Sequence, residues 1–144
     1  PAARANCWDD DMSRPVLVGW SGSEVSNRAV EVAAGFAERR GTSLRVVLGW
    51  DFLDQPGYHF DPEITPEKVQ RTLEDAVAGV RLRHPSLLVT CEALMGWAPS
   101  VVTEAAEFAD LLVVGRSAKT KGHFGDWSPD VLVRRVRIPI VYVP

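Results

Sequence analysis

Cysteine is scarce in this 144-residue chain, Cys7 and Cys91 being the only two. One stands in a polar N-terminal stretch and the other inside an apparent strand, so neither a disulfide framework nor a cysteine-based zinc site is indicated. A reducing cytoplasm is the expected setting. Long apolar runs are missing too: nothing approaches the ~20 residues of a membrane span, and Pro1 to Arg14 lacks the apolar centre of a signal peptide. A soluble protein without a membrane partner is expected. Positive charge is not in excess, since 16 basic residues face 19 acidic ones for a net charge of −3, and a nucleic-acid partner would ordinarily ask for a basic domain. Neither a Walker phosphate loop nor a G-x-G-x-x-G fingerprint occurs. His59 and His84 have no metal-ligand spacing with each other or with an acid, so no metal is expected.

What is present is enough for one core. At this length a folded chain buries roughly 68–70% of its unfolded surface, and 46% of the residues are hydrophobic. The stretch 1–13, with Asp9-Asp10-Asp11, reads as a disordered or extended tail, and 14–144 as a single domain. From Pro15 short apolar runs alternate with helical periodicity. Val16 to Trp20 is a strand apolar on both faces, followed by the turn Ser21-Gly22-Ser23 and a helix with Val25, Ala29, Val32, Ala33 and Phe36 on one face, stopped at Gly41. Leu44 to Trp50 is a second buried strand, and Asp51 to Ile64 a loop. Thr65-Pro66-Glu67 joins an N-cap, a proline at the first helical position and an acid in the first turn, opening a helix striped by Val69, Leu73, Ala76 and Val80. Leu88 to Leu94 alternates as an edge strand does. Pro99 opens a helix with Val101, Val102, Ala105 and Phe108. Leu111 to Gly115 is the fourth strand, Arg116 to Trp127 a loop, Ser128-Pro129-Asp130 the start of a last helix through Arg135, and Ile138 to Val143 the fifth strand. This alternation requires an α/β fold, a mostly parallel doubly wound sheet in three αβα layers.

In such a sheet a ligand sits beyond the carboxyl ends of the strands, where the strand order reverses. Two turns there carry chemistry. Ser21-Gly22-Ser23 opens a helix whose N–H groups and dipole favour an anion, and Gly115 to His123 adds glycines and the cations Arg116, Lys119 and Lys121. Of the net charge, −7 falls on residues 1–115 and +4 on 116–144, so positive charge gathers beside that second turn. The structural alternative is a plain N-cap and a solvated basic loop. No catalytic residue is expected. Gly19-Trp20-Ser21-Gly22-Ser23 has the setting of a nucleophile elbow, but position 23 is not glycine, and His123 precedes Asp126 in the wrong order. A phosphorylation receiver would need acids where Trp20 and Ser21 stand. Trp20, Trp50, Trp97 and Trp127 all fall at or just after strand ends, where they either stack a ligand's base or fill the pocket.

Val16-Leu17-Val18-Gly19-Trp20-Ser21-Gly22-Ser23-Glu24, Leu44-Arg45-Val46-Val47, Asp110-Leu111-Leu112-Val113-Val114-Gly115-Arg116-Ser117 and Ile138-Pro139-Ile140-Val141 together resemble the universal stress protein domain. The resemblance implies a Rossmann-like, adenine-nucleotide-hydrolase-like fold with strand order 3-2-1-4-5. It also implies a homodimer paired through the fifth strands, Ile138 to Val143, and a non-catalytic stress-response regulator, at most with weak incidental ATP hydrolysis. Many members bind ATP through an acid after strand one and a G-x2-G-x9-G-[ST] motif after strand four. Here Ser21 stands in the acid's place, Ala118 replaces the second glycine, and Asp126-Trp127 falls near the closing Gly-Ser. If ATP or AMP binds, Gly19 and Ser21 flank the nucleoside and Trp50 packs the base, with Trp20 among the binding residues. Gly115, Arg116 and Ala118 then present backbone to the phosphates, with Val114 also among the binding residues, Lys119 and Lys121 add charge, and Ser128 caps the last helix near them. The alternatives are a dimeric interaction module whose pocket binds no nucleotide and, more remotely, a flavin mononucleotide carrier using the hydroxyls of Ser21, Ser23 and Ser26.

Overall fold

A strand with no polar face needs cover on both sides, and the runs around Val16 and Leu112 receive it. The computed structural model describes residues 14–50, 64–116, 121–122, 125–126 and 129–144. The expected tail, positions 51–63 of the expected loop, and Ala118, Lys119, Trp127 and Ser128 lie outside these residues. In chain order the elements are β1 (Val16–Gly19), α1 (Glu24–Arg40), β2 (Leu44–Trp50), α2 (Pro66–Arg83), β3 (Val89–Met95), α3 (Ala98–Ala106), β4 (Leu111–Gly115), β5 (Lys121–Gly122), β6 (Gly125–Asp126), a 3-10 helix (Pro129–Arg134) and β7 (Ile140–Val143). Five parallel strands lie in the order β3-β2-β1-β4-β7. This is the 3-2-1-4-5 order, with β7 as the fifth long strand. Val16 sits level with Leu44 on one side and Leu111 on the other, and Leu112 sits level with Ile140.

Side-chain alternation along the strands divides the core. Val16, Val18, Val46, Leu48 and Val113 pack beneath α1 and α2. Leu17, Val47, Leu112 and Val114 pack on the opposite face with Val102, Ala105 and Leu132 of α3 and the 3-10 helix. Gly49 shows how tightly the second layer is set: a Cβ there would lie 2.6 Å from the Ala98 Cα, so α3 rests directly on the backbone of β2. The helix starts follow their sequences. Ser23 Oγ accepts from Ser26 N–H and Thr65 Oγ1 from Lys68 N–H, each at 3.2 Å.

Several expectations need correction. Val32 and Phe108, read as core positions, are 36% and 65% exposed. Val32 falls at the margin of the α1 stripe, and Phe108 comes after α3 has ended at Ala106. The segment 116–127, read as loop, contains the antiparallel ribbon β5–β6, whose two-residue strands are too short for a period-2 pattern to register. The fifth strand begins at Ile140 and not at Ile138. Pro139 has no N–H for the ladder, although its carbonyl accepts from Leu112 N–H at 3.0 Å.

At the far end of the helices an ion cluster ties α1 to α2. Arg83 Nε donates to Glu31 Oε2 at 3.0 Å, His84 Nε2 lies 3.2 Å from Glu31 Oε1, and His84 Nδ1 lies 2.8 Å from Glu38 Oε1. The Glu31 hydrogen bond, then that of Glu38, raises the His84 pKa against the opposing effect of burial, and Arg83 chiefly holds Glu31 low. Because the His84 value is raised on folding, its contribution to stability is fully present below the unfolded value, about 6.5, and disappears as pH rises through the folded value. Glu31 is lowered, so its contribution is present above its unfolded value and disappears as pH falls through the folded one. The cluster therefore helps most in the mildly acidic range. In urea titrations His84→Gln should be less stable than the parent by at most about 1 kcal/mol there, with the gap closing as pH rises. A gap independent of pH would contradict this.

Candidate functional site

β1 and β4 are neighbours, yet the chain leaves β1 toward β2 and reaches β4 only after β3. Their carboxyl ends therefore form the crevice where the strand order reverses. On the β1 side the turn leads into α1. Ser23 is committed as its cap, with Ser26 Oγ donating back to the Ser23 carbonyl at 2.8 Å. Ser21 Oγ lies 3.1 Å from Ser23 Oγ, so the two hydroxyls share one hydrogen bond at the positive end of the α1 dipole.

On the β4 side Gly115 is where strand and helix head touch. A Cβ at 115 would lie 2.9 Å from both the carbonyl carbon and the oxygen of Val25. Only glycine lets the β4 backbone come this close to the first turn of α1. Two cations flank the contact. Arg116 donates its backbone N–H to the Val143 carbonyl at 2.7 Å, and its guanidinium lies 5.5 Å from the centroid of the Tyr142 ring. Arg28 reaches from α1 to the Pro144 oxygen with Nε at 3.2 Å and Nη2 at 3.0 Å.

Of the residues named from sequence, Gly19, Ser21, Gly115 and Arg116 come together on adjoining strand ends, with Val114 buried beneath. Trp20 and Trp50 are placed differently. Trp20 is 9% exposed and Trp50 1%, and both belong to the core layer under α1 and α2. The Trp20 indole N–H donates to Asn27 Oδ1 at 2.7 Å, which turns the ring along α1. Trp97 is 41% exposed, with the Arg135 guanidinium 5.2 Å from its ring centroid. Sequence reasoning missed Asn27, Arg28 and Tyr142; each acts through a partner separated from it along the chain, Trp20, Pro144 and Arg116 respectively, which no local pattern marks. Among the described residues no group of three or more His, Cys, Asp and Glu side chains is arranged to hold a metal ion. The helix head and the hydroxyl pair, with the positive charge of Arg116 adjoining, are suited to receiving an anion with polar substituents.

Comparison with known proteins gives a consistent picture. The profile of the universal stress protein family matches residues 12–144. A universal stress protein of Mycobacterium tuberculosis is 30% identical over 138 residues, 92% of this chain and 46% of that protein. The chain thus spans about half the length of the curated relatives it matches. Among solved structures, one described as a universal stress protein in complex with cAMP superposes with a TM-score of 0.68 at 24% identity, covering 91% of this chain and 96% of that one. A universal stress protein from Archaeoglobus fulgidus in complex with dAMP gives a TM-score of 0.64 at 19% identity, covering 92% and 99%.

Proposed function

Because this chain belongs to the universal stress protein family, we propose that residues 14–144 are one non-catalytic regulatory domain that binds an adenine nucleotide, ATP or AMP, over the ends of β1 and β4. The contact of Gly115 with the head of α1 carries this reading, because it brings the serine turn and Arg116 to one crevice at the reversal point. The complexes of related folds with cAMP and dAMP support the choice of ligand. In the proposed mode Gly19 and Ser21 flank the nucleoside, and Gly115, Arg116 and Ala118 turn backbone toward the phosphates. Lys119 and Ser128 complete the phosphate side. The chain acts as a cytoplasmic stress-response protein and pairs as a homodimer through β7. That strand lies at one end of the strand order, with Ile140, Val141 and Tyr142 only partly buried.

The burial of Trp20 and Trp50 favours a second reading, an interaction module of the same fold whose aromatic rings belong to the core and whose crevice takes no base. Calorimetry on ligand-stripped protein separates the two. Saturable heat with ATP, AMP or cyclic AMP is expected, and no heat at millimolar nucleotide would leave the interaction module standing. Ser21→Asp restores a carboxylate after β1. A charged hydrogen bond contributes about 1.5–3 kcal/mol, so nucleoside affinity should rise by roughly one to two decades.

A further inference from the structure

β3 is the other end of the sheet, and at seven residues it is as long as β2. A long edge strand presents a row of backbone donors and acceptors, a template on which another copy of the chain can pair. The bonds to β2 show which groups face outward. Leu44 N–H donates to the Leu88 carbonyl and Gly96 N–H to the Trp50 carbonyl. In a parallel ladder the inward residues alternate with outward ones, so Val89, Cys91 and Ala93 turn their backbone groups away from the sheet. Three of those groups are taken by side chains of α2. Arg81 donates to the Val89 carbonyl from Nε at 3.3 Å and from Nη2 at 2.9 Å. Gln70 Nε2 donates to the Cys91 carbonyl at 3.3 Å, and Gln70 Oε1 accepts from Ala93 N–H at 2.8 Å.

The Gln70 bonds have a specific form. One residue of a parallel neighbouring strand would donate its N–H to the Cys91 carbonyl and accept from the Ala93 N–H, and the single carboxamide of Gln70 does both. Surrounding contacts hold this arrangement. The Cys91 thiol donates to Glu74 Oε1 at 2.6 Å, Glu74 lies 3.6 Å from Arg81 Nη1, and burial first, then Glu74, pushes the Cys91 pKa up to about 11, keeping the thiol protonated.

We propose that Gln70 and Arg81 close the β3 edge to strand addition by a second copy of this chain, so that pairing through the sheet is left to the β7 edge. The closure of β3 is independent of the nucleotide reading, and only its corollary rests on the β7 homodimer. The test uses Gln70→Ala/Arg81→Ala in the full chain, measured by sedimentation velocity across a wide concentration range. It is made in the parent and in an Ile140→Pro background. The Pro139 and Val143 carbonyls both face β4, so the Ile140 N–H faces outward, and proline there blocks β7 pairing while sparing the β4 ladder.

Opening the β3 edge is expected to double the particle mass at high concentration in the Ile140→Pro background, and to carry the parent to chains larger than its own assembly. If the parent and Ile140→Pro have the same mass, the β7 homodimer fails while the β3 test stands. A folded double variant whose mass equals its background at every concentration overturns the proposal, as does association that appears only with loss of the thermal transition. If the double variant fails to fold, Gln70→Met keeps the side-chain bulk, and amide exchange at Ala93 in dilute protein gives the answer. Losing a hydrogen bond of ordinary strength should speed that exchange roughly fivefold, and an unchanged rate overturns the proposal.

Discussion

Trp50→Ala is expected to lower the unfolding free energy by about 3–5 kcal/mol, the cost typical of deleting a buried aromatic ring and leaving its cavity. The melting temperature should fall on the order of 10 °C for a domain of this size. Trp50 ends β2 and is among the largest fully buried side chains, in one cluster with Trp20, Val30, Val46 and Leu48. Its carbonyl also accepts the Gly96 N–H at 2.6 Å, so the end of β2 that the ring anchors is joined to the point where β3 turns toward α3. Trp50→Phe keeps most of the volume and should cost far less. It also distinguishes the two roles read from sequence. A ring that fills the core is expected to leave nucleotide heat nearly unchanged in Trp50→Phe while stability drops. A ring that stacks on a base would do the reverse, losing affinity with little change in the melt. Thermal denaturation and calorimetry on the same two variants decide it.

Gly115→Val is expected to damage the fold and the crevice together. The added Cβ would meet the Val25 backbone at 2.9 Å and its Cγ2 at 3.0 Å. Backbone cannot swing aside as the tip of a long side chain does, so β4 and the head of α1 must separate. Overpacking of this kind costs about 1–3 kcal/mol, and the separation would move Arg116 away from the serine turn, abolishing the proposed nucleotide heat. Gly19→Ala is the informative contrast. A Cβ at 19 finds Val102 Cγ2 at 3.5 Å and Val114 Cγ1 at 3.8 Å, ordinary contact distances, so the fold should accept it. Equal destabilisation by the two substitutions would show that the close approach at Gly115 is not what joins the strand to the helix.

The fold was legible because its signals are local and repeated. The run Leu111 to Gly115 has no polar face, Thr65-Pro66-Glu67 caps its own helix, and the alternation of Val89 with Thr90 announces an edge. The same period argument failed at Val32 and Phe108, where a helical stripe narrows or a helix stops early, and at β5–β6, where two residues carry no period. The candidate site divides in the same way. The serine turn and Gly115 could be placed on strand ends from pattern and family resemblance alone. The direction of the Trp20 and Trp50 rings could not, because a tryptophan after a strand reads alike whether it points into the core or over the crest.

The amino-acid sequence by itself determined the five long strands to within a residue or two, the caps of the first two helices, the family and the clustering of positive charge after Gly115. Each follows from residue type and spacing along the chain. Tertiary structure alone decided that Trp20 and Trp50 lie under α1 and α2, that Gly115 meets Val25, and that Gln70 pairs with the edge of β3. Those depend on which residues distant in sequence come within a few ångströms, and that is settled only when the sheet is assembled and its two faces are covered.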